Sequence, residues 1–292
     1  MEQKLNIYII IVTYNGMKWI EKALSCLRLL TYPVKTLVID NCSTDGTREF
    51  IPSHFPEVIW LPQEKNVGFG KGNNIGMKYA LEHSADYVLL LNQDAYLQPT
   101  SIEEMLKVSD GYNLVSPIHL CGDGSRFDFM FRESIKKANI QIIDDLIIKG
   151  ACNAQYDDIG EVCAACWFLP ISILKEVGGF NPLFFQYGED NNYYTRLVYH
   201  GRKTILSTKA FVWHDRKIHG NAQLFQKKYI HLRTLVTACD INLSFVKRLK
   251  KWIGVWIESP IRFPVEFIKL IPNMLTIEMY KRKERKKQPN WL

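Results

Sequence analysis

The stretch that most constrains this chain is Tyr87 to Leu97, which reads Tyr-Val-Leu-Leu-Leu-Asn-Gln-Asp-Ala-Tyr-Leu. Its apolar run shows no alternation, so it reads as a strand buried on both faces, as in a sheet covered by helices on either side. The polar triplet Asn92, Gln93, Asp94 comes where that strand should leave the sheet. Ligands of open α/β sheets bind outside the carboxyl ends of the strands, and a carboxylate placed there can hold a metal or a ligand. Asp94 therefore reads as a metal hook; the alternative is a turn residue, or a cap for the helix starting near Pro99.

The preceding residues supply the rest of such a sheet. Ile7 to Val12 is a β-branched strand ending in Thr13, Tyr14, Asn15 and Gly16, and Met17 to Leu30 reads as an amphipathic helix. Thr36 to Ile39 is a second strand that delivers Asp40 to the sheet edge, Thr47 to Ile51 a helix, and Val58 to Leu61 a third strand. A βαβαβ opening of this kind is the pattern of a parallel sheet. Asn66-Val-Gly-Phe-Gly-Lys-Gly-Asn-Asn-Ile-Gly76 then reads as a glycine-rich loop leading into a helix over Met77 to Glu82. Amides at a helix start favour phosphate. Gly68, Gly70 and Gly72 follow the third strand and not the first, and Lys71 lies between glycines with no Ser or Thr after it. A dinucleotide fingerprint and a Walker loop are both excluded on that ground.

Beyond the helix Ser101 to Val108 and a strand at Asn113 to Pro117, residues 121 to 158 read as polar and irregular. Val162 to Leu169 is an apolar run whose small Ala164, Ala165 and Cys166 leave room for a ligand or a close-packed strand. Ile171 to Val177 is a short helix stopped by Gly178 and Gly179. Phe184, Phe185 and Tyr187 lead to Gly188, Glu189 and Asp190 at the head of a helix ending at Gly201. Two acids there complement the helix dipole, and a carboxylate at the mouth of an aromatic pocket equally suits a general base. Lys203 to Leu206 and Ala210 to Trp213 read as a strand pair with His214 at its exit, where a histidine can complete a metal site.

With 47% hydrophobic and 23% charged residues the chain reads as a globular protein. The run Ile7 to Val12 is too short for a secretory signal, and no window reaches the roughly 18 apolar residues that span a bilayer, so a cytosolic location is expected. Seven cysteines at irregular spacings argue for reduced thiols, and the lone C-x-x-C pair, Cys163 and Cys166, reads as packed wall before metal or redox chemistry.

These motifs, in this order over Ile7 to Arg233, resemble family 2 glycosyltransferases of the GT-A fold, particularly the bacterial rhamnosyltransferase-like branch. The resemblance implies a Rossmann-like mixed, mostly parallel sheet flanked by helices, with a catalytic domain at residues 1–235 divided into a nucleotide-sugar half (1–110) and an acceptor half (111–235). It implies that Thr13, Tyr14, Asn15, Asp40, Asn66, Gly68, Gly70, Asn73, Asn92, Gln93 and Asp94 meet the nucleotide sugar, with Asp40 reading the base. Asn92-Gln-Asp94 stands where the family has its D-x-D motif, with Asn92 replacing the first acid. Asp94 and His214 are implied to lie at a divalent cation, Mg²⁺ or Mn²⁺, and Asp190 to be the catalytic base with Glu189 as the fallback. The implied reaction is inverting transfer from a UDP- or dTDP-linked sugar to a hydroxyl of a lipid-linked saccharide in bacterial surface polysaccharide synthesis. The rivals are a sugar-nucleotide binder without turnover, which the loss of an acid at Asn92 allows, and a sugar nucleotidyltransferase.

Residues 236–292 read as a basic amphipathic helical tail. From Val246 onward they carry 12 Lys and Arg against 4 Glu, which leaves the rest of the chain near neutral. Apolar residues at 245, 246, 249, 252, 253, 256 and 257 form a helical stripe, and Lys281 to Lys287 a basic run. Basic, Trp-bearing amphipathic helices lie well in anionic headgroups, so residues 245–287 are expected to touch the inner face of the cell membrane. No basic groove elsewhere supports a nucleic-acid partner.

Overall fold

The computed structural model describes residues 4–138, 140–148, 153–216 and 222–292. The chain opens with β1 (Ile7–Thr13), α1 (Ile20–Leu27), β2 (Lys35–Asp40), α2 (Thr47–His54) and β3 (Ile59–Pro62). There follow α3 (Phe69–Glu82), β4 (Tyr87–Asn92), β5 (Ala95–Leu97), α4 (Ser101–Val108) and β6 (Leu114–Cys121). Next come α5 (Phe129–Ala138), α6 (Ile140–Ile148), β7 (Gln155–Tyr156), β8 (Cys166–Pro170), α7 (Ile171–Glu176), α8 (Glu189–Tyr199) and β9 (Thr204–His214). Four further helices, α9 (Ala222–Cys239), α10 (Phe245–Glu258), α11 (Arg262–Leu270) and α12 (Met274–Glu284), complete the described chain.

The strands form one sheet in the order β3-β2-β1-β4-β8-β6-β9-β5, with β7 on β9. Six of them run parallel, while β8, β5 and β7 run against the rest. This is the mixed, mostly parallel sheet expected, flanked by helices and followed by a helical C-terminus. Successive side chains of a strand point to opposite faces, so β1 feeds two core layers. Tyr8 and Ile10 pack with Met77 and Ala80 of α3, whereas Ile7, Ile9 and Ile11 pack with Ile20 and Leu24 of α1 and Ile102 of α4.

Several elements depart from their sequence reading. Helix α3 begins at Phe69, eight residues before Met77, so most of the glycine-rich segment is helix and not loop. Glycines cost a helix stability, and here close packing requires them. A Cβ at Gly72 would lie 2.8 Å from Val12 and one at Gly76 2.5 Å from Ile10, so the small residues let α3 press onto β1. The span read as irregular holds α5 and α6, whose Phe131, Ile135 and Ile142 are buried; Asp128 Oδ1 accepts from the Phe131 amide at 3.1 Å at the start of α5. The expected strand pair is one strand, β9, whose register against β6 jumps from Pro117–Ser207 to Ile118–Phe211. Pro117 has no amide to give to the ladder, and the break falls beside it.

Candidate active site

Register sets the site before any side chain does. β1 and β2 end together, with Thr13 opposite Asp40, and β4 reaches Asn92 beside Val12. His214 closes β9 opposite Ala95, and the Asp215 amide donates to the Asp94 carbonyl at 2.8 Å. Thr13, Asp40, Asn92, Asp94 and His214 are thereby gathered along the same edge of the sheet.

Gln93 ties the first strand to the triplet. Its Oε1 accepts from Thr13 Oγ1 at 2.7 Å and from the Tyr14 amide at 3.0 Å. Tyr14 itself is exposed, and Asn15, with a left-handed φ of 49°, accepts from the Thr44 amide at 2.8 Å. Asp40 is fully buried; the Ser43 amide donates to both of its oxygens and Arg48 Nε lies 3.4 Å away. Asn66 Oδ1 accepts from the Gly68 amide at 2.9 Å, and Gly68, at φ 86°, turns the chain into α3. A Cβ at Gly68 would strike the Phe185 carbonyl and one at Gly70 would touch Phe180 and Glu189, so this turn joins the start of the chain to the acid-bearing segment. Asn73 is buried with its Nδ2 given to the Phe69 carbonyl at 3.1 Å. It is neighbouring Asn74 that crosses to Phe180, accepting from its amide at 2.6 Å and donating to its carbonyl at 2.8 Å.

His214 is the hinge of the polar cluster. Its Nε2 lies 3.4 Å from Asp94 Oδ1 and 3.4 Å from Asn92 Nδ2. On its other side Arg216 Nε donates to Nδ1 at 3.2 Å, and Arg216 is gripped by Asp128 at 2.9 Å. Burial pushes the Asp94 carboxyl up, but the hydrogen bond and charge of His214, with help from Arg216, outweigh it and leave Asp94 below the usual carboxylate range. Asn92 Oδ1 is buried and accepts no hydrogen bond. An anionic oxygen and a neutral amide oxygen at this edge are ligand types that suit a hard divalent cation, with the His214 imidazole beside them.

Acids populate the far side. Asp190 follows the left-handed pair Tyr187 and Gly188 and accepts from the Asn191 and Ala164 amides. Burial raises its pKa against those bonds. Burial, then the charge of Asp190, pushes Glu189 up to about 8, and its Oε2 is buried without a hydrogen-bond partner. Glu161, which the sequence reading passed over, is pushed up to about 7 by burial and Asp190 and accepts from Asn191. Near neutral pH Glu189 therefore holds its proton, which leaves Asp190 as the better base of the two.

Asp128 and Arg216 were also not singled out. Asp128 had a readable signal, since it stands three residues before Phe131 at the head of an apolar helical period. Arg216 had none, because apart from His214 its partners, Asp128 and Cys163, lie far away in sequence. Cys26, Cys42, Cys121, Cys163, Cys166 and Cys239 are free thiols, as irregular spacing predicts.

Comparison with known proteins agrees with this architecture. The chain is 25% identical over 231 residues to N-acetylglucosaminyl-diphospho-decaprenol L-rhamnosyltransferase of Mycobacterium tuberculosis, covering 71% of this chain and 75% of that protein. It is 28% identical over 125 residues to dTDP-rhamnosyl transferase RfbF of Shigella flexneri, covering 42% and 41%. Among solved structures, TarS 1-349 of Staphylococcus aureus in complex with UDP-GlcNAc superposes with a TM-score of 0.60 at 15% identity, covering 96% of this chain and 81% of that one. Mannosyltransferase PcManGT from Pyrobaculum calidifontis, in complex with GDP-Man and Mn²⁺, gives 0.60 at 16% identity, covering 93% and 76%. These likenesses establish the GT-A fold. Residues 8–178 match the model of glycosyl transferase family 2, more than half of the chain, and to that family of glycosyltransferases this protein belongs.

Proposed function

We propose that this protein transfers a sugar, with inversion, from a UDP- or dTDP-linked donor to a hydroxyl of a lipid-linked saccharide during bacterial surface polysaccharide synthesis. The observation that carries the reading is the line of polar groups from Asp94 through His214 and Arg216 toward Asp190. In this reading residues 1–110 hold the nucleotide sugar, residues 111–235 the acceptor, and residues 236–292 are the tail. The mycobacterial and Shigella relatives, both named as rhamnosyltransferases, favour a deoxyhexose and, for the first, a polyprenyl diphosphate acceptor.

Asp94, Asn92 and His214 would hold Mg²⁺ or Mn²⁺, and Thr13, Tyr14, Asn15, Asp40, Asn66, Gly68, Gly70, Asn73 and Gln93 would frame the donor. When bound, that ion offsets the charge of the departing nucleoside diphosphate. Asp190 takes the proton of the attacking acceptor hydroxyl, and protonated Glu189 keeps a second negative charge away from the incoming oxygen. His214 keeps Asp94 ionised, so the donor side is charged before the substrate arrives. The test is a thermal-shift panel of UDP, dTDP and GDP sugars with and without Mn²⁺. One donor should stabilise the protein by about 2.7 kcal/mol at a hundredfold excess over its Kd. Asp94→Ala should abolish the metal-dependent part, and a shift unchanged in that variant would remove Asp94 from the site.

The tail adds a location. α10 packs on α9 through Trp252, Val255 and Arg248, which turns the rest of its stripe outward. Ile257 of α10 is 73% exposed, Ile261 just before α11 86% and Leu275 of α12 88%, and the same stretch carries Arg262, Lys269, Arg282, Lys283 and Lys286. No helix among the described residues is long and apolar enough to cross a membrane. An apolar face rimmed by cations fits an anionic bilayer surface, the cytoplasmic face where lipid-linked acceptors are built. Removing residues 246–292 would be a poor test, because it would also strip the buried Trp252 and Glu284. The paired changes Ile261→Glu and Leu275→Glu leave that core intact. Together they should weaken binding to sedimenting anionic vesicles by about a hundredfold or more, each forfeiting about 1.5–3 kcal/mol of burial. Equal sedimentation would show that this face stays in water.

A further inference from the structure

Beside the donor pocket, and sharing His214 with it, lies a second cluster whose His119 and Cys163 the proposed reaction leaves unused. One ring nitrogen each of His119 and His214 and the Sγ of Cys163 all lie within 4.8 Å of one another. His119 Nδ1 is 3.8 Å from Cys163 Sγ, and the fourth group, Asp128 Oδ2, is 3.7 Å from His214 Nδ1. In tetrahedral zinc sites, bonds of about 2.3 Å to sulfur and 2.0–2.1 Å to nitrogen place those ligand atoms about 3.4–3.6 Å apart. His119, Cys163 and His214 are therefore near ligating distance without any change of fold, and Asp128 stands on the His214 side to supply a fourth ligand.

Two further features suit metal ligation. The free nitrogen of His119, Nε2, has Ser116 Oγ at 3.3 Å, and its ring stacks on Phe131, so Nδ1 stays aimed at the thiol. The second is that the centre already accommodates a cation. The Arg216 guanidinium reaches Cys163 Sγ at 3.3 Å, His214 Nδ1 at 3.2 Å and Asp128 at 2.9 Å. Arg216 is 29% exposed, so it can swing out to water, whereas Asp128 is 3% exposed and stays.

We propose that His119, Cys163, His214 and Asp128 form a thiolate-containing site for a soft divalent ion, Zn²⁺ in the first instance, for which Arg216 is the internal competitor. Binding makes a Zn–S bond, breaks the Cys163 S–H bond, and releases that proton to solvent as Arg216 withdraws. The site lies on the Nδ1 side of His214, away from Asp94, so zinc would fix the ring that Arg216 now holds. That consequence for transfer rests on the proposed function; the binding itself does not.

The experiment is equilibrium dialysis of the full-length protein against Zn²⁺ alone, with Co²⁺ substitution read by absorption. One equivalent of zinc and a thiolate-to-cobalt charge-transfer band are expected. Cys163→Ser, which changes one atom and lies outside the transfer machinery, should lose the band and bind zinc at least about tenfold more weakly while melting like the parent. Arg216→Ala should bind zinc more tightly. The proposal is overturned if the parent takes up no zinc, if the cobalt spectrum lacks the sulfur band, or if Cys163→Ser binds as the parent does. Loss of transfer activity with zinc binding intact would bear on the reaction and not on this site.

Discussion

Asp190→Asn is expected to bind donor as the parent does while losing about 10²–10⁴-fold in turnover, the usual worth of a positioned general base. The substitution keeps the shape and the acceptor oxygen that meets the Ala164 and Asn191 amides, and removes only the proton-accepting charge. Glu189→Gln supplies the comparison. Burial and Asp190 push Glu189 up to about 8, so at pH 7 it is already a neutral acid and its amide is a close copy. Its loss of turnover should be much the smaller. The measurement is single-turnover transfer with donor binding followed in parallel by calorimetry. Near-parental turnover in Asp190→Asn would move the base elsewhere, with Glu161 the next carboxylate in the same cluster.

The second large effect is on stability. Arg196 and Glu284 are both fully buried, with Nε and Oε1 3.5 Å apart. Arg196 also donates to the Val177 and Gly179 carbonyls at 2.8 and 2.6 Å, and Asn181 donates to Glu284 at 2.9 Å. Glu284→Ala leaves the guanidinium buried without its counter-charge, a change that costs about 3–5 kcal/mol. For a chain of this size that lowers the melting temperature by about 10 °C. Since Arg196 belongs to the helix that begins with Glu189 and Asp190, activity should fall as well. Replacing both partners, Arg196→Met with Glu284→Leu, should restore most of the lost stability, because apolar groups of similar size leave no buried charge. Equal melting of the single and double variants would show that the pair is not what docks α12. The remaining C-terminal residues follow the same course, the Gly179 amide donating to the Asn290 carbonyl at 2.8 Å and Trp291 lying over Arg196.

The elements legible in the sequence were those whose signal is local. The run Tyr87 to Leu91 is apolar without alternation because both faces of β4 are covered, and that can be read from eleven residues. The edge residues Thr13, Asp40 and Asn92 followed from the same logic, since a strand's end is marked where its apolar run stops. Glycines misled at α3 because a glycine-rich segment has the same letters whether it lines a ligand or lets a helix press on a strand, and only the packing of α3 on β1, where Val12 would lie 2.8 Å from a Cβ at Gly72, distinguishes the two. Residues 121 to 158 hid two helices although Phe129 to Phe131 and Ile140 to Ile148 are rich in apolar residues, because the core that buries Phe131, Ile135 and Ile142 is supplied from elsewhere in the chain.

From sequence alone, then, the chain's α/β class, the parallel opening, the placement of Asp94 at a strand exit and the basic, amphipathic character of the tail were determined, since each depends on periodicity or on the order of neighbours. Tertiary structure alone decided which side of His214 faces Asp94 and which faces Asp128 and Arg216, that Cys163 lies with two histidines, and that Glu284 reaches across to Arg196. The physical reason is separation along the chain. His214 lies 120 residues from Asp94 and 86 from Asp128, Cys163 lies 44 from His119 and 51 from His214, and Arg196 lies 88 from Glu284, so these partners meet only once strand register and helix packing have closed the intervening loops.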